Sequence, residues 1–162
     1  MVLLIIGVAG SGKTLIGSTL AKTLNWLFAD ADEFHPARNI QKMSQGVPLS
    51  DADREPWLSA MRAAIDQWIK SGENAVLACS ALKQRYRDRL QAGPEVKIVY
   101  LKGDPDLIYR RLSQRQGHYM KAEMLASQFA DLEEPPDAIV IDVSSPPDPI
   151  VSEIKRRLDL VG

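Results

Sequence analysis

Val2-Leu3-Leu4-Ile5-Ile6-Gly7-Val8-Ala9-Gly10-Ser11-Gly12-Lys13-Thr14 is the stretch that decides how this chain is read. Five consecutive apolar residues, 2–6, predict a strand buried on both faces. A glycine-rich turn follows, and then a predicted helix over 13–24, where Ile16, Leu20 and Leu24 recur at helical spacing. Residues 7–14 fit G-x-x-x-x-G-K-[ST] in the strand–turn–helix setting that this pattern requires. Glycines let successive backbone N–H groups turn inward as an anion cradle, and the helix N-terminus adds a positive partial charge. Lys13 suits the β- and γ-phosphates and the Thr14 hydroxyl suits Mg²⁺. The expected nucleotide-phosphate site is therefore Gly7, Val8, Ala9, Gly10, Ser11, Gly12, Lys13 and Thr14. The pattern does not name the group that receives the phosphate.

Working outward, further strands are expected at 26–29, 75–79, 96–101 and 138–143. Helices are expected at 56–70 and 83–90. Two more start at Asp104-Pro105 and Asp148-Pro149, where an N-cap precedes a first-turn proline; they run to about residues 116 and 160. Residues 33–54, broken by Pro36, Gly46 and Pro48, read as an irregular or partly helical insert. Strands alternating with helices predict an α/β fold of three layers, the P-loop nucleotide-binding architecture, with a five-stranded parallel sheet flanked by helices. Ligands in such sheets bind beyond the carboxyl ends of the strands.

The chain has 162 residues, the size of one domain, and its 45% apolar content is enough for a core. Twenty Lys+Arg against 21 Asp+Glu leave a net charge of −1, so no basic excess points to nucleic acid. One cysteine, Cys79, excludes an intramolecular disulfide and a Cys-rich zinc site, and it reads as packed rather than reactive. The longest apolar run is too short to span a membrane and lacks the flanks of a signal peptide. No membrane partner and a cytoplasmic location are the expectations.

Asp30 and Asp32 close the second strand, and strand geometry would turn both to one side. Beside a phosphate cradle, one would hold Mg²⁺ or its water while the other orients or deprotonates an attacking hydroxyl; solvated loop carboxylates or helix caps are the plainer reading. Arg54, Lys42 and Arg38 supply cations in the insert, and arginine suits a carboxylate through its planar fork. Arg111 and Arg115 share one helix face and run into Gln116-Gly117-His118-Tyr119-Met120, an arrangement that fits a closing lid as well as an ordinary basic face. His35 is a candidate substrate contact, and Trp57 and Trp68 read as core.

Asp30-Ala31-Asp32-Glu33-Phe34-His35-Pro36, Asn39-Ile40-Gln41-Lys42-Met43, Gly46-Val47-Pro48-Leu49 and Asp51-Ala52-Asp53-Arg54-Glu55-Pro56-Trp57-Leu58 together resemble the gluconokinases. So do Cys79-Ser80-Ala81-Leu82-Lys83, Tyr86-Arg87-Asp88, Gly117-His118-Tyr119-Met120 and Ser127-Gln128-Phe129 with Leu132-Glu133 and Pro135. The resemblance runs through nearly the whole chain, in order. It implies a fold similar to adenylate and shikimate kinases, with a substrate-binding insert at about 33–56 and a small helical lid at about 112–132. It implies ATP-dependent phosphorylation of D-gluconate on the 6-hydroxyl, with Mg²⁺, in carbohydrate acid catabolism, and a homodimer.

Carried onto this chain, the resemblance puts Lys13 on the transferring phosphoryl group and Thr14 and Asp30 at the metal. Asp32 orients or deprotonates the sugar hydroxyl. Asp32, His35, Arg54 and Lys83 bind the acceptor, and Arg111 and Arg115 act from the lid. Residues 144–148 form a candidate adenine rim. Two residues depart from the family pattern: Ala9 stands where serine is frequent, and Lys121 where proline is usual.

Overall fold

The computed structural model describes residues 1–114 and 122–160. Five parallel strands form one sheet in the order β2-β3-β1-β4-β5: β1 (Val2–Ile6), β2 (Leu27–Asp30), β3 (Ala75–Ala78), β4 (Val96–Lys102) and β5 (Ile139–Asp142). Helices α1 (Lys13–Leu24), α2 (Ala37–Ser44), α3 (Asp51–Ser71), α4 (Gln84–Leu90), α5 (Pro105–Ser113), α6 (Ala122–Asp131) and α7 (Pro147–Arg157) surround it, and a 3-10 turn (Ala31–Phe34) follows β2.

Strand alternation divides the core. Every residue of β1 has 0% exposure, as a strand covered on both faces requires. Leu3 and Ile5 pack with Ile16 and Leu20 of α1, Ile108 and Leu112 of α5, and Ile150 and Ile154 of α7. Val2, Leu4 and Ile6 face the other way, onto Trp57, Met61 and Ile65 of α3 and Tyr86 and Leu90 of α4. Cys79 belongs to this second layer; burial pushes its thiol up to about 12, so it packs and does not react.

β1 is central, and the sheet runs outward from it in both directions, so its carboxyl end is the topological switch point. The register places Asp30 opposite Ala78, and Ala78 opposite Ile5. The end of β2 is therefore level with the start of the 7–14 loop.

Two helix starts differ by two residues or more from the sequence expectation. α3 begins at Asp51 rather than 56, because Ser50 and Asp53 form a reciprocal capping box that starts the helix ahead of Pro56. α2 is the helical part of the insert expected to be irregular or partly helical. α7 begins at Pro147 with Pro146 as its N-cap, so Asp148 sits in the first turn instead of capping. A proline at the first helical position suits the helix, since its missing N–H has no partner there anyway. Among the described residues no helix is long and apolar enough to cross a membrane.

Candidate active site

The 7–14 loop joins β1 to α1 and turns through glycine-only geometry. Gly10 has φ +80° and Gly12 φ +97°, both left-handed. A Cβ on Gly10 would stand 2.6 Å from Leu112 Cγ, so the same glycine also lets α5 pack against the loop. Gly12 caps α1 and brings no side chain to its first turn, which leaves the amides there facing the cradle. Lys13 Nζ donates to the Val8 carbonyl at 3.1 Å, folded back across the loop.

Asp30 links the loop to the next strand. Thr14 Oγ1 donates to Asp30 Oδ2 at 2.7 Å, while Asp30 Oδ1 accepts from the Asp32 amide at 3.0 Å. Asp30 thus caps the 3-10 turn and Asp32 lies within that turn. This corrects the expectation that both carboxylates project from one strand face: β2 stops at Asp30 because its side chain takes over the next free amide. Two hard oxygens meet at the foot of the cradle, a donor set that fits Mg²⁺, which takes its remaining ligands from phosphate and water.

Asp32 faces the same space from the turn. Desolvation by the surrounding protein, and then repulsion from Asp30, push its carboxyl above the ordinary value against the pull of His35 and Lys13. Asp30, His35 and Lys13 therefore lie close enough for Asp32 to feel their charge.

A cationic cluster stands beyond them. Arg54 Nη1 donates to Tyr86 Oη at 3.2 Å, and the Tyr86 hydroxyl donates to Asp51 Oδ1 at 2.6 Å. Arg54, Lys83 and Arg85 all lie within 6.0 Å of the centre of the Tyr86 ring. Arg54, Trp57, Ser80, Leu82, Lys83 and Tyr86 line a small pocket, which meets α6 at Asp131. His35 stacks flat on Trp57 beside it, with ring centres 4.6 Å apart. The two other insert cations are placed differently. Lys42 pairs with both carboxylate oxygens of Asp53 at 2.9 Å, and Arg38 is exposed on α2.

Arg111 is half-buried on α5 and close enough to Asp142, at the end of β5, to hold that carboxylate below its usual value, behind the Ser144 amide and hydroxyl. Arg115 and His118 lie outside the described residues. Asp142 Oδ1 accepts from the Ser144 amide at 2.8 Å and so shapes the loop expected to form an adenine rim.

Two residues that the resemblance names without a role gain one here, Gln128 and Arg87. The Ala9 amide donates to Gln128 Oε1 at 2.7 Å, which docks α6 onto the cradle. Arg87 is fully buried and donates to the carbonyls of Ala81, Leu82 and Glu133. One signal was available: Arg87 falls three residues before Leu90, on the apolar face of its helix. A buried arginine on such a face must be satisfied by carbonyls brought to it.

The chain matches the shikimate kinase family over residues 9–158. It is 47% identical to the thermosensitive gluconokinase of Escherichia coli over 87% of this chain and 78% of that one. It is 43% identical to the gluconokinase of Gluconobacter oxydans over 83% of this chain and 76% of that one. The crystal structure of a gluconokinase from Sinorhizobium meliloti superposes with a TM-score of 0.82 at 36% identity, covering 97% of this chain and 94% of that one. At 36–47% identity over more than four fifths of its length, the chain belongs to the gluconokinases, enzymes built on the P-loop fold of the shikimate kinases.

Proposed function

We propose that the protein transfers the γ-phosphoryl group of ATP to the 6-hydroxyl of D-gluconate, giving 6-phospho-D-gluconate and ADP. The observation that carries this is the Thr14–Asp30 pair at the glycine loop, with Asp32 two residues on and the Arg54–Lys83 pocket beside His35. A phosphate tail in the cradle and a sugar acid on the cations put an alcohol between them.

The cradle of Gly7, Val8, Ala9, Gly10, Ser11, Gly12, Lys13 and Thr14 binds the phosphates. Thr14 and Asp30 hold Mg²⁺, which neutralises charge on the phosphate oxygens when bound. The 6-oxygen attacks the γ-phosphorus, its bond to the β–γ bridging oxygen breaks, and ADP leaves. The hydroxyl proton passes to Asp32, whose raised proton affinity suits that role. Lys13 leaves the Val8 carbonyl to follow the transferring group, with Arg111 and Arg115 neutralising its charge from a lid at about 112–132. His35, Arg54 and Lys83 hold the acceptor, the arginine fork taking the carboxylate.

Release of ADP is measured with and without D-gluconate, then across a panel of aldonic acids. Gluconate-stimulated release is expected, and nucleotide binding without stimulation would overturn the assignment in favour of a nucleotide-binding regulator. The dimer implied by the resemblance is measured separately by light scattering.

A further inference from the structure

Asn39 has 0% exposure on α2, and its side-chain nitrogen makes two contacts: 2.7 Å to the carbonyl oxygen of Asp53 and 3.2 Å to Nδ1 of His35. A backbone carbonyl only accepts, so the atom facing Asp53 is the amide nitrogen. The reversed amide would set two oxygens 2.7 Å apart with no proton between them. One hydrogen of the NH₂ goes to Asp53, and the other points at His35. A ring nitrogen that accepts a hydrogen bond carries no proton, so the proton of the neutral ring is on Nε2, on the far side from Asn39.

The ring is fixed in plane as well as in tautomer. It lies 6° from parallel on Trp57, and Trp57 Nε1 donates to the Ala31 carbonyl at 2.8 Å, one residue before Asp32. Burial, with Arg54 nearby, lowers the ring's affinity for a second proton, against the pull of Asp32. The Asn39 carbonyl oxygen is buried and has no hydrogen-bond partner among the described residues. Such a group costs about 1–3 kcal/mol, which an apolar residue of the same size would avoid.

We infer that Asn39 is a positioning residue that locks His35 as a neutral imidazole protonated on Nε2, so that His35 meets the acceptor as a hydrogen-bond donor to one of its oxygens. The substrate half of this rests on the gluconokinase reading; the tautomer half does not. A donor at this place selects an oxygen lone pair, from a hydroxyl or a carboxylate, and His35 takes no proton from the reacting alcohol.

The chain has two histidines, so ¹⁵N spectra of the imidazoles in the unliganded enzyme, with His118→Gln identifying the second set, read the tautomer directly. Protonated Nε2 and bare Nδ1 are expected for His35. In Asn39→Asp the carboxylate accepts instead, the proton moves to Nδ1, and the gluconate KM rises about tenfold with the ATP KM unchanged. Should Asn39→Asp not fold, His35→Gln and His35→Asn decide the matter: glutamine carries an N–H near the Nε2 position and asparagine carries one near Nδ1. Glutamine should keep the gluconate KM within about threefold while asparagine raises it about tenfold or more. A wild-type ring protonated on Nδ1, or equal losses in the two His35 variants, overturns the proposal while leaving the gluconokinase reading intact. Absence of gluconate-stimulated ADP release in the wild type overturns that reading instead, and with it the substrate half.

Discussion

The backbone amide of Ala9 donates to Oε1 of Gln128 across 2.7 Å, so a carboxamide of helix α6 is tied to the phosphate cradle. That amide is one of the donors an incoming phosphate would use. Nucleotide and Gln128 therefore compete for it, and occupation of the cradle loosens the tie between the loop and α6. A neutral hydrogen bond is worth about 0.5–1.5 kcal/mol net. Gln128→Ala should tighten binding of a non-hydrolysable ATP analogue by about two- to tenfold, measured by titration calorimetry. Unchanged or weaker binding would show that the contact does not oppose the nucleotide.

Asp32 gives a prediction in which activity and stability move in opposite directions. Asp32→Asn should lower kcat by about 10²–10⁴ while ATP still binds, since only the proton acceptor is lost. The Asp32 pKa is raised in the fold, so the native state prefers the protonated form more than the unfolded chain does. The cost of holding its charge is present at neutral pH, and it fades as pH falls through the raised value toward 3.8. Asp32→Asn should accordingly raise Tm slightly at pH 7, and the gain should vanish in acid. In the wild type, the acidic limb of kcat should lie above the ordinary carboxylate range.

Most of this was legible in the chain because the deciding signals are local. An apolar run, glycines and a Lys-Thr pair fix the first strand, the turn and α1 without any tertiary information. The parallel sheet follows from alternation with helices, but its order β2-β3-β1-β4-β5 does not. What stayed hidden depends on contacts between distant residues. Lys42 and Arg54 look equivalent in the insert, yet the Ser50–Asp53 capping box presents a carboxylate to Lys42 and leaves Arg54 turned toward Tyr86. Gln128 meets Ala9 across 119 positions of sequence, and no periodicity announces such a pair.

Arg54→Ala should raise the gluconate KM more than the ATP KM. A charge-assisted hydrogen bond is worth about 1.5–3 kcal/mol, so the increase expected from loss of one is about ten- to 150-fold. Initial rates with each substrate varied at saturation of the other separate the two constants. Equal shifts in both would place Arg54 outside the acceptor site.

The Lys42–Asp53 pair should make stability depend on acid. The Ser50 backbone amide first, and then the Lys42 ammonium, hold the Asp53 carboxyl down to about 2, well below its unfolded value of 3.8. A depressed pKa contributes stability above the unfolded value, and that contribution is lost as pH falls from about 4 to about 2. Asp53→Asn should lower Tm at pH 7, and its difference from the wild type should shrink across that window. A constant difference would mean that neither the Ser50 amide nor Lys42 favours the charged carboxylate in the fold.

Arg87 carries the last prediction, because it holds the segment that presents Lys83. Ala81, with φ +31°, sits in a conformation that costs an L residue about 1 kcal/mol or more. Arg87 Nη1 donates to the Ala81 and Leu82 carbonyls at 2.8 and 2.9 Å, and Nη2 donates to Gln84 Oε1 and to the Glu133 carbonyl. One guanidinium thus clamps the loop after β3 to the segment that follows α6. Its planar fork is the reason lysine cannot replace it: an ammonium cannot reach four acceptors lying in two directions. Arg87→Met leaves the buried Ala81 carbonyl unpaired, breaks the ties to Leu82, Gln84 and Glu133, and releases Ala81, at a cost of about 3 kcal/mol or more. With about 2–4 °C per kcal/mol for a domain of this size, Tm should fall by about 10 °C in calorimetry. Arg87→Lys should recover little of that loss, and at temperatures where either variant is folded the gluconate KM should rise because Lys83 is no longer held. A lysine variant as stable as the wild type would show that charge, rather than the fork, holds the clamp.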